Sequence, residues 1–393
     1  MTLMVYFTAI VATTRYSKTM TSFDDIRPYH DNEVRPTIKR LISDTEFIDA
    51  IGAFKLSGQP KWLRKLLRPI IKQRLSKELN PLKSINDVQT LCERYLHQVV
   101  KSTTTELTFS GLENLKPGQP YFFMSNHRDI VMDPAFVNFA LYHHGITTAQ
   151  QAIGDNLIQK PFVADLMRLN KSFIVKRSVS GAREKLQAFS KLSNYIQHAI
   201  NTGNSIWIAQ KEGRAKDGID STDPTIIKML YMSQRKSEQS FSDYMNWLKI
   251  VPVTISYEYN PCDLAICKEL HEKRTTGHYQ KVEGEDIRSI TSGITGQKGA
   301  VHVAFGKPLT GDLPDAQHVA QQVDAQMLEL YRFHPSNHIA AELLNSQAEK
   351  QNSQTIPADK KEDFMRRLAN CDEHMKDIFL AMYANPVLRQ TNE

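Results

Sequence analysis

The chain contains 393 residues, of which 41% are hydrophobic and 23% are charged, proportions that are ordinary for a globular protein. This length leaves room for two domains, or for one large α/β domain with appendages. The net charge of +6 is small and its excess is local, which argues against a nucleic-acid-binding protein when no recognised binding motif accompanies it. The four cysteines have neither CxxC spacing nor a zinc pattern, which favours free thiols in a reducing compartment.

The N-terminus begins with a short apolar stretch. Its apolar core, at residues 3–12, is shorter than the roughly 20 residues that a membrane span needs, and no other segment is long and apolar enough to cross a bilayer. No basic region precedes it and no convincing cleavage site follows it, which argues against a signal peptide. Because Met20 begins a more ordinary sequence, we expect residues 1–19 to be a non-native or disordered extension that arises from start-site choice.

Residues 20–100 are predicted to form a helical N-terminal region. Within it, residues 60–79 have the pattern of a basic amphipathic helix, since seven basic and no acidic side chains lie between Lys61 and Lys77, interleaved with apolar residues. Pro69 is expected to kink this helix. Such a segment suits a membrane surface, where its apolar face enters the headgroup layer and its cations meet anionic lipid. The alternative is a helix packed on the core with a solvated basic face.

From residue 101 to residue 310 the sequence alternates between strand and helix patterns. This order predicts an α/β fold with a mainly parallel central sheet flanked by helices, and with helical additions at both ends of the chain. Residues 311–393 are predicted to be a helical C-terminal region, and they contain no motif that we can tie to chemistry. In sheets of this kind, ligands gather at the carboxyl ends of the strands. The predicted strands lie at 107–115, 121–126, 172–177, 205–210, 248–259 and 300–309.

A histidine follows the second predicted strand, in the sequence YFFMSNHRDIVMDP, where His127 precedes Asp129 and Asp133. A neutral imidazole can take a proton from a hydroxyl when a carboxylate holds its other ring nitrogen. His127 and either aspartate would supply such a pair, with the nucleophilic hydroxyl belonging to the substrate. Asp133 is also the predicted N-cap of a helix that begins at Pro134. The alternative is therefore a strand end and a helix cap without a catalytic role.

Three further features follow His127 in chain order. The apolar strand SFIVKR ends at Arg177, and the strand SIWIAQ leads directly into the loop KEGR. In that loop the glycine lets the backbone approach a ligand, and the cations suit a phosphate, although an ordinary solvated loop is the alternative. In the strand IVPVTISYE, residues 251–253 would form a smooth apolar edge for an acyl chain. The KEGR loop consists of Lys211, Glu212, Gly213 and Arg214.

In this order and at these separations, the four features resemble the sequence blocks of the glycerolipid acyltransferase superfamily, of the lysophosphatidate acyltransferase type. Asn126 and His127 with a following aspartate are similar to its Asn-His-x4-Asp block, and Arg177 closes an apolar run as in its second block. Residues 212–214 match part of a Pro-Glu-Gly-Thr-Arg-like loop, and residues 251–253 match an apolar-Pro-apolar strand. The resemblance spans about 121–310, so we assign an acyltransferase domain to residues 101–310.

The sequence departs from the family pattern at two points. The family spacing would place the aspartate at position 132, which is Met132 here. Of the two neighbouring carboxylates we favour Asp133, which is one residue late and lies across the turn, over Asp129, which is three residues early. The loop also lacks the usual proline and threonine, since Lys211 precedes Glu212.

The resemblance implies transfer of a fatty acyl group from a thioester, acyl-CoA or acyl carrier protein, to a hydroxyl of a glycerophospholipid precursor such as 1-acylglycerol-3-phosphate. His127 would act as general base with an aspartate to orient it, and Arg177 and Arg214 would bind the phosphate of the acceptor. Glu212 would shape the loop or hydrogen-bond the acceptor. The thioester is a co-substrate, and the mechanism requires neither a cofactor nor a metal.

The expected setting is cytoplasmic and peripheral, on the inner face of a membrane that the protein contacts through residues 60–79. Two rival functions remain at this stage. The first is an acyltransferase for a different lipid acceptor, which the altered loop favours. The second is a non-catalytic peripheral lipid-binding protein, in which His127 is only a hydrogen-bonded residue at a strand end.

Overall fold

The computed structural model describes residues 23–56, 58–344 and 356–392. The predicted extension at residues 1–19 lies outside these ranges. Across the described ranges, no helix combines the length and the apolar character that a membrane span requires.

A seven-stranded sheet organises the chain, with its strands in the order β1-β7-β6-β2-β5-β3-β4. Every neighbouring pair is parallel except β6 and β7, which are antiparallel. The predicted α/β class with a mainly parallel sheet is thus confirmed. The strands are β1 (Thr104–Ser110), β2 (Phe122–Ser125), β3 (Gln150–Gly154), β4 (Ser172–Val175), β5 (Ile206–Ala209), β6 (Ile250–Tyr257) and β7 (Gly299–Phe305).

Helices precede the sheet, connect its strands and follow it. In the described residues, two helices lie between β6 and β7 and four follow β7. In chain order the helices are α1 (Asp31–Ser43), α2 (Thr45–Lys55), α3 (Lys61–Leu66), α4 (Arg68–Leu79), α5 (Ile85–Thr103), α6 (Met132–His143), α7 (Pro161–Leu169), α8 (Ala182–Asn201), α9 (Pro224–Leu230), α10 (Phe241–Leu248), α11 (Asp263–Thr276), α12 (Glu285–Thr295), α13 (Ala316–Glu329), α14 (Pro335–Leu344), α15 (Ala358–Ala369) and α16 (Lys376–Asn392).

The central strands are apolar throughout because both faces of the sheet are covered. Successive side chains of a strand point to opposite faces, so β2 sends Phe122 and Met124 into one core and Phe123 into the other. Helices α8 and α13 cover the first face, and α6 covers the second. The continuous apolar runs in the sequence are therefore buried parallel strands, whose carboxyl ends meet at one edge.

The N-terminal helices form a separate apolar cluster that α7 joins through Leu169. The predicted single helix at 60–79 is in fact two helices, α3 and α4, with the break at Leu67. Pro69 lies in the first turn of α4, where a proline is tolerated because the first amides of a helix lack intrahelical partners. Ile71 of α4 packs against Gly52 of α2, so one side of α4 is fixed to the rest of the region.

The C-terminal helices are divided between two cores. Helix α13 packs on the sheet itself, whereas α14, α15 and α16 form a further apolar cluster together with α11. Within this cluster Phe364, Phe379 and Tyr383 contact each other through their rings. The described residues after 311 are mainly helical, as predicted, and the last helix contacts loops that follow β5 and β6.

Candidate active site

The histidine predicted as a base lies where β2 leaves the sheet. The side chain of Asn126 replaces a strand partner there, since its amide nitrogen donates to the Ile255 carbonyl at 3.0 Å and its oxygen accepts from the Ile255 amide at 2.8 Å. These two bonds tie the end of β2 to β6 and fix the direction in which the chain departs. His127 follows directly, and its backbone carbonyl accepts from the Ala215 amide at 2.8 Å.

His127 is paired with Asp133. Its Nδ1 donates to Asp133 Oδ2 at 2.7 Å, and the Asp133 side chain is fully buried. The same oxygen accepts from the backbone amides of Arg128 at 2.6 Å and Asp129 at 2.9 Å. Because this carboxylate is held by the backbone as well as by the ring, it fixes the orientation of the imidazole and leaves Nε2 as the nitrogen available for proton transfer.

Asp129 has a different task. Its Oδ1 accepts from the amides of Val131 at 2.9 Å and Met132 at 2.8 Å, and it makes no hydrogen bond with His127. The prediction that Asp133 caps the helix is wrong, because α6 begins at Met132 and Asp133 lies inside its first turn. Asp129 satisfies the turn instead, which leaves Asp133 for the histidine. Burial and the neighbouring charge of Asp133 raise the pKa of Asp129.

Tyr257, at the end of β6, completes the surroundings of the pair. Its hydroxyl donates to Asp133 Oδ1 at 2.6 Å, so both oxygens of this carboxylate are engaged. Burial and the adjacent charge of Asp133 raise the pKa of Tyr257 well above its usual value, which keeps the hydroxyl a donor. Sequence reasoning missed this residue, because nothing near Tyr257 in the chain indicates that β6 lies beside β2.

The pair opens onto a cavity of about 260 Å³. Five lysine and arginine side chains and three carboxylates line this cavity together with His127. Its apolar lining includes Leu192 and Met229, which belong to the first core of the sheet, and Phe189 at the first half of α8. The site thus places a base, an excess of positive charge and an apolar surface around one space, as an anionic ligand with a hydrocarbon part requires.

The structure brings most of the predicted site residues together at this cavity. Arg177 follows β4, and its guanidinium lies 3.9 Å from a carboxylate oxygen of Glu212. Gly213 lines the cavity with a φ of 78°, a left-handed conformation that favours glycine. Nη1 of Arg214 is buried and has no hydrogen-bond partner among the described residues, which leaves a donor for a ligand or water. The predicted residues that line the cavity are His127, Arg177, Lys211, Glu212, Gly213 and Arg214.

The expected apolar edge at residues 251–253 is elsewhere. Val251 and Val253 are fully buried in the core on the α6 side of the sheet, and they do not line the cavity. Strand β6 is interior to the sheet, paired on both sides, so its side chains are committed to packing. Apolar residues at the ends of β3 and β5 and on α8 and α9 line the cavity instead.

Sequence reasoning also missed three residues that line the cavity. Lys216 and Lys281 add to its positive charge, and Lys281 comes from the segment before α12, far from the other blocks in the chain. Trp207 of β5 packs its indole edge-on against the His127 ring, with centroids 5.9 Å apart and planes at 72°. Trp207 lies in a strand that the sequence did predict, but only the register of β5 beside β2 shows that it contacts the histidine.

Two properties of the described ranges bear on other chemistries. They contain no group of three or more histidine, cysteine, aspartate or glutamate side chains that could hold a metal ion. All four cysteines are free thiols, and three of them are buried.

Comparisons with known proteins address the same segment. Residues 106–256 match a protein-family model described as Acyltransferase, and this segment contains every predicted site residue. Among solved structures, the chain is similar to the 1-acyl-sn-glycerophosphate (LPA) acyltransferase PlsC from Thermotoga maritima. The sequence identity is 14% and the TM-score is 0.35, over 77% of this chain and 99% of that chain. A search of curated proteins found no match.

Proposed function

Because residues 106–256 match a family model described as Acyltransferase, we propose that the protein moves a fatty acyl group from a thioester to a hydroxyl of a glycerophospholipid precursor such as 1-acylglycerol-3-phosphate. The donor would be acyl-CoA or acyl carrier protein. One observation carries the proposal: His127 is held by the buried carboxylate of Asp133 at 2.7 Å and faces a cavity whose lining is rich in cations.

The proposed reaction is a direct transfer without a covalent enzyme intermediate. Nε2 of His127 takes the proton of the acceptor hydroxyl while its oxygen attacks the thioester carbonyl. The carbon–sulfur bond of the tetrahedral intermediate then breaks, the ester forms, and the leaving thiolate takes the proton back from the imidazolium. Asp133 stabilises the imidazolium between these two steps, since it keeps a negative charge against Nδ1.

The cations at the cavity would bind the phosphate of the acceptor. Arg177 and Arg214 reach the cavity from the segments that follow β4 and β5, and a phosphate between them would receive charge-assisted hydrogen bonds. Glu212 lies beside Arg177 and would orient its guanidinium. The apolar lining formed by residues such as Leu192 and Met229 would receive the acyl chain.

The test is to incubate the purified protein with labelled acyl-CoA or acyl carrier protein and a panel of lysophospholipids, and to identify the labelled product. We expect the labelled product to be an ester of a phosphate-bearing lysolipid. If labelled lipid forms only from an amine-bearing or phosphate-free acceptor, the chemistry stands and the acceptor class is wrong. If the protein binds lipid and no acceptor is ever acylated, it is a lipid-binding protein and the proposal fails.

The same proposal includes a peripheral position on the inner face of a membrane. Helices α3 and α4 expose three large apolar side chains along the basic segment: Trp62 is 67% exposed, Leu66 is 68% exposed and Ile70 is 49% exposed. Their outward position supports membrane contact through residues 60–79, because a helix that only packs on the core would bury its large apolar side chains.

Co-sedimentation with vesicles that contain anionic lipid tests this contact. Two cations near such a surface contribute about 1 kcal/mol each, so replacing Lys61 and Lys65 with glutamine should weaken vesicle binding about 30-fold. Replacing Lys361 and Arg366, which are exposed on α15, with glutamine is the matched control and should leave binding unchanged. Equal loss in both double variants would show that binding follows net charge, and would refute a specific role for α3 and α4.

A further inference from the structure

The loop between β5 and α9 contains most of the cationic lining of the cavity, yet it has no regular secondary structure from residue 210 to residue 223. A loop of this kind does not fix its own side chains, because its backbone amides and carbonyls are not paired in a ladder or a helix. The groups that hold it in place therefore decide where its cations lie.

On its inner side the loop is held by the residue that follows the histidine. The Arg128 guanidinium donates to the carbonyls of Ala215 at 2.9 Å and Gly218 at 3.2 Å, and to Asp220 Oδ2 at 2.7 Å. Asp220 Oδ2 also accepts from the Asn126 amide at 3.1 Å. Burial alone would lower the pKa of Arg128, but Asp220, Tyr331 and Asp133 together raise it, so this buried cation remains charged.

On its outer side the loop is held by the last helix. The Asn385 side chain donates to the Asp217 carbonyl at 2.7 Å, and the Arg389 guanidinium donates to the Asp220 carbonyl. Between them Gly218, with a φ of 81°, lies against α16 so closely that a Cβ would be 2.2 Å from the Met382 carbonyl oxygen. The chain thus presses backbone on backbone at the middle of the loop, which only a glycine permits.

The last helix is itself packed against other helices. Its apolar side packs into the cluster of α11, α14 and α15, and Arg274 of α11 pairs with Asp377 at its start. From the same cluster Glu269 of α11 pairs with the Lys216 ammonium, which lines the cavity. Two helices of the C-terminal cluster therefore contact the loop at four residues, 216, 217, 218 and 220.

We propose that α16 is a positioning element of the substrate site, and that Asn385 is its principal positioning residue. By holding the carbonyls of Asp217 and Asp220, α16 sets the position of the preceding segment, from which Lys211 and Arg214 meet the acceptor phosphate. The inference rests on the proposed function for the identity of the ligand, but the restraint on the loop does not depend on it. It assigns a task to the C-terminal helices, in which the sequence shows no motif.

The experiment uses the full-length protein with Asn385→Asp. This change keeps the size of the side chain, and it places a carboxylate against the Asp217 carbonyl in place of a donor. Gln390→Glu, which introduces the same charge on an exposed position of the same helix, is the matched control. Hydrogen–deuterium exchange of the amides in residues 211–220 should rise in the Asn385→Asp variant and stay unchanged in the control.

Kinetics supply the second readout. Loss of one hydrogen bond corresponds to about a two- to tenfold change in an equilibrium, so KM for the acceptor should rise by about that factor while kcat changes less. Asn385→Gln, which keeps the amide donor, should recover part of this change. If no acceptor is acylated, the proposed function fails, but the exchange measurement still tests whether α16 positions the loop. The two failures can therefore be distinguished.

Three results would overturn the inference. The first is unchanged exchange in residues 211–220. The second is a rise in exchange that is confined to α14, α15 and α16, which would make α16 a separate structural element. The third is a fall in kcat with an unaltered KM for the acceptor. If Asn385→Asp does not fold, Arg389→Lys and Arg389→Met serve as the second pair of variants. Lysine keeps a donor toward the Asp220 carbonyl and methionine does not. The exchange rate of the loop amides in Arg389→Lys should therefore lie between those of the wild type and Arg389→Met.

Discussion

Replacing Asp133 with asparagine removes one charge from the proposed catalytic pair and keeps its shape. The amide oxygen can still accept from His127 Nδ1 and from the backbone amides of Arg128 and Asp129, while the new amide nitrogen faces the Tyr257 hydroxyl, which can accept. The protein should therefore remain folded, and the variant should lose stabilisation of the imidazolium that forms during transfer.

The magnitude follows from the geometry of the pair. Nδ1 and the carboxylate oxygen are 2.7 Å apart, and the ring and carboxylate charges are centred somewhat farther apart, in a site where Asp133 is fully buried and His127 is 15% exposed. Opposite charges about 4 Å apart interact by about 4 kcal/mol at an effective dielectric constant of 20. Since about 1.4 kcal/mol corresponds to a factor of ten, kcat should fall about 10³-fold.

Asp129→Asn is the matched control, because its side-chain oxygen can still accept from the amides of Val131 and Met132. Its transfer rate should stay within about fivefold of the wild type, a change of about 1 kcal/mol. Initial rates with a labelled thioester, at saturating acceptor, compare the two variants. If Asp129→Asn abolishes transfer and Asp133→Asn retains it, the assignment of Asp133 is wrong.

The control also makes a pH prediction. Because the pKa of Asp129 is raised in the folded protein, the folded state binds more protons than the unfolded state between the two pKa values. The stabilisation from Asp129 is thus fully present below its unfolded pKa and is lost as the pH rises through its folded pKa. Urea unfolding should show that Asp129→Asn loses less stability than the wild type as the pH rises from 4 toward 7. Equal losses in the two proteins would contradict the burial argument.

Three further variants test separate contacts. Tyr257→Phe leaves a buried carboxylate oxygen without its donor, so urea unfolding should show a loss of about 1–3 kcal/mol, and no loss would contradict the contact. In Gly154→Ala the added Cβ would lie 2.4 Å from Asn156 Oδ1 and 3.3 Å from the Arg177 side chain, which would have to move. The KM for a phosphate-bearing acceptor should therefore rise by about three- to tenfold. An unchanged KM would exclude Arg177 from binding the phosphate. Burial lowers the pKa of Lys298 to about 8. The unfolded chain therefore binds more protons between pH 8 and pH 10, and unfolding curves should show stability rising over this range relative to Lys298→Met.

The sheet was predictable where local pattern and burial agree. The continuous apolar runs at β2, β5 and β6 indicate strands covered on both faces, and the amphipathic pattern of α8 indicates a helix on that sheet. The strand order was not predictable, because β1 and β7 pair across about half of the chain and β7 runs antiparallel to β6. Such pairings depend on contacts between distant segments, which leave no local signal.

The site divides in the same way. His127, Arg177 and the loop at 211–214 could be found because each follows a predicted strand, and parallel strands bring their carboxyl ends to one edge. The pairing of His127 with Asp133 depends on where α6 begins, and a shift of one residue in that boundary changes which aspartate caps the turn. The contribution of Tyr257 and the restraint by α16 arise from packing between elements that are far apart in the chain.

The most direct measurement compares turnover with binding in His127→Ala. Loss of general-base assistance should lower the rate of labelled acyl transfer by about 10²–10⁴-fold. The affinity for a non-cleavable thioether analogue of the donor, measured by calorimetry, should stay near the wild-type value. His143→Ala, on the exposed end of α6, should retain full transfer. Near wild-type transfer by His127→Ala would contradict the account, in which His127 alone removes the proton of the acceptor hydroxyl.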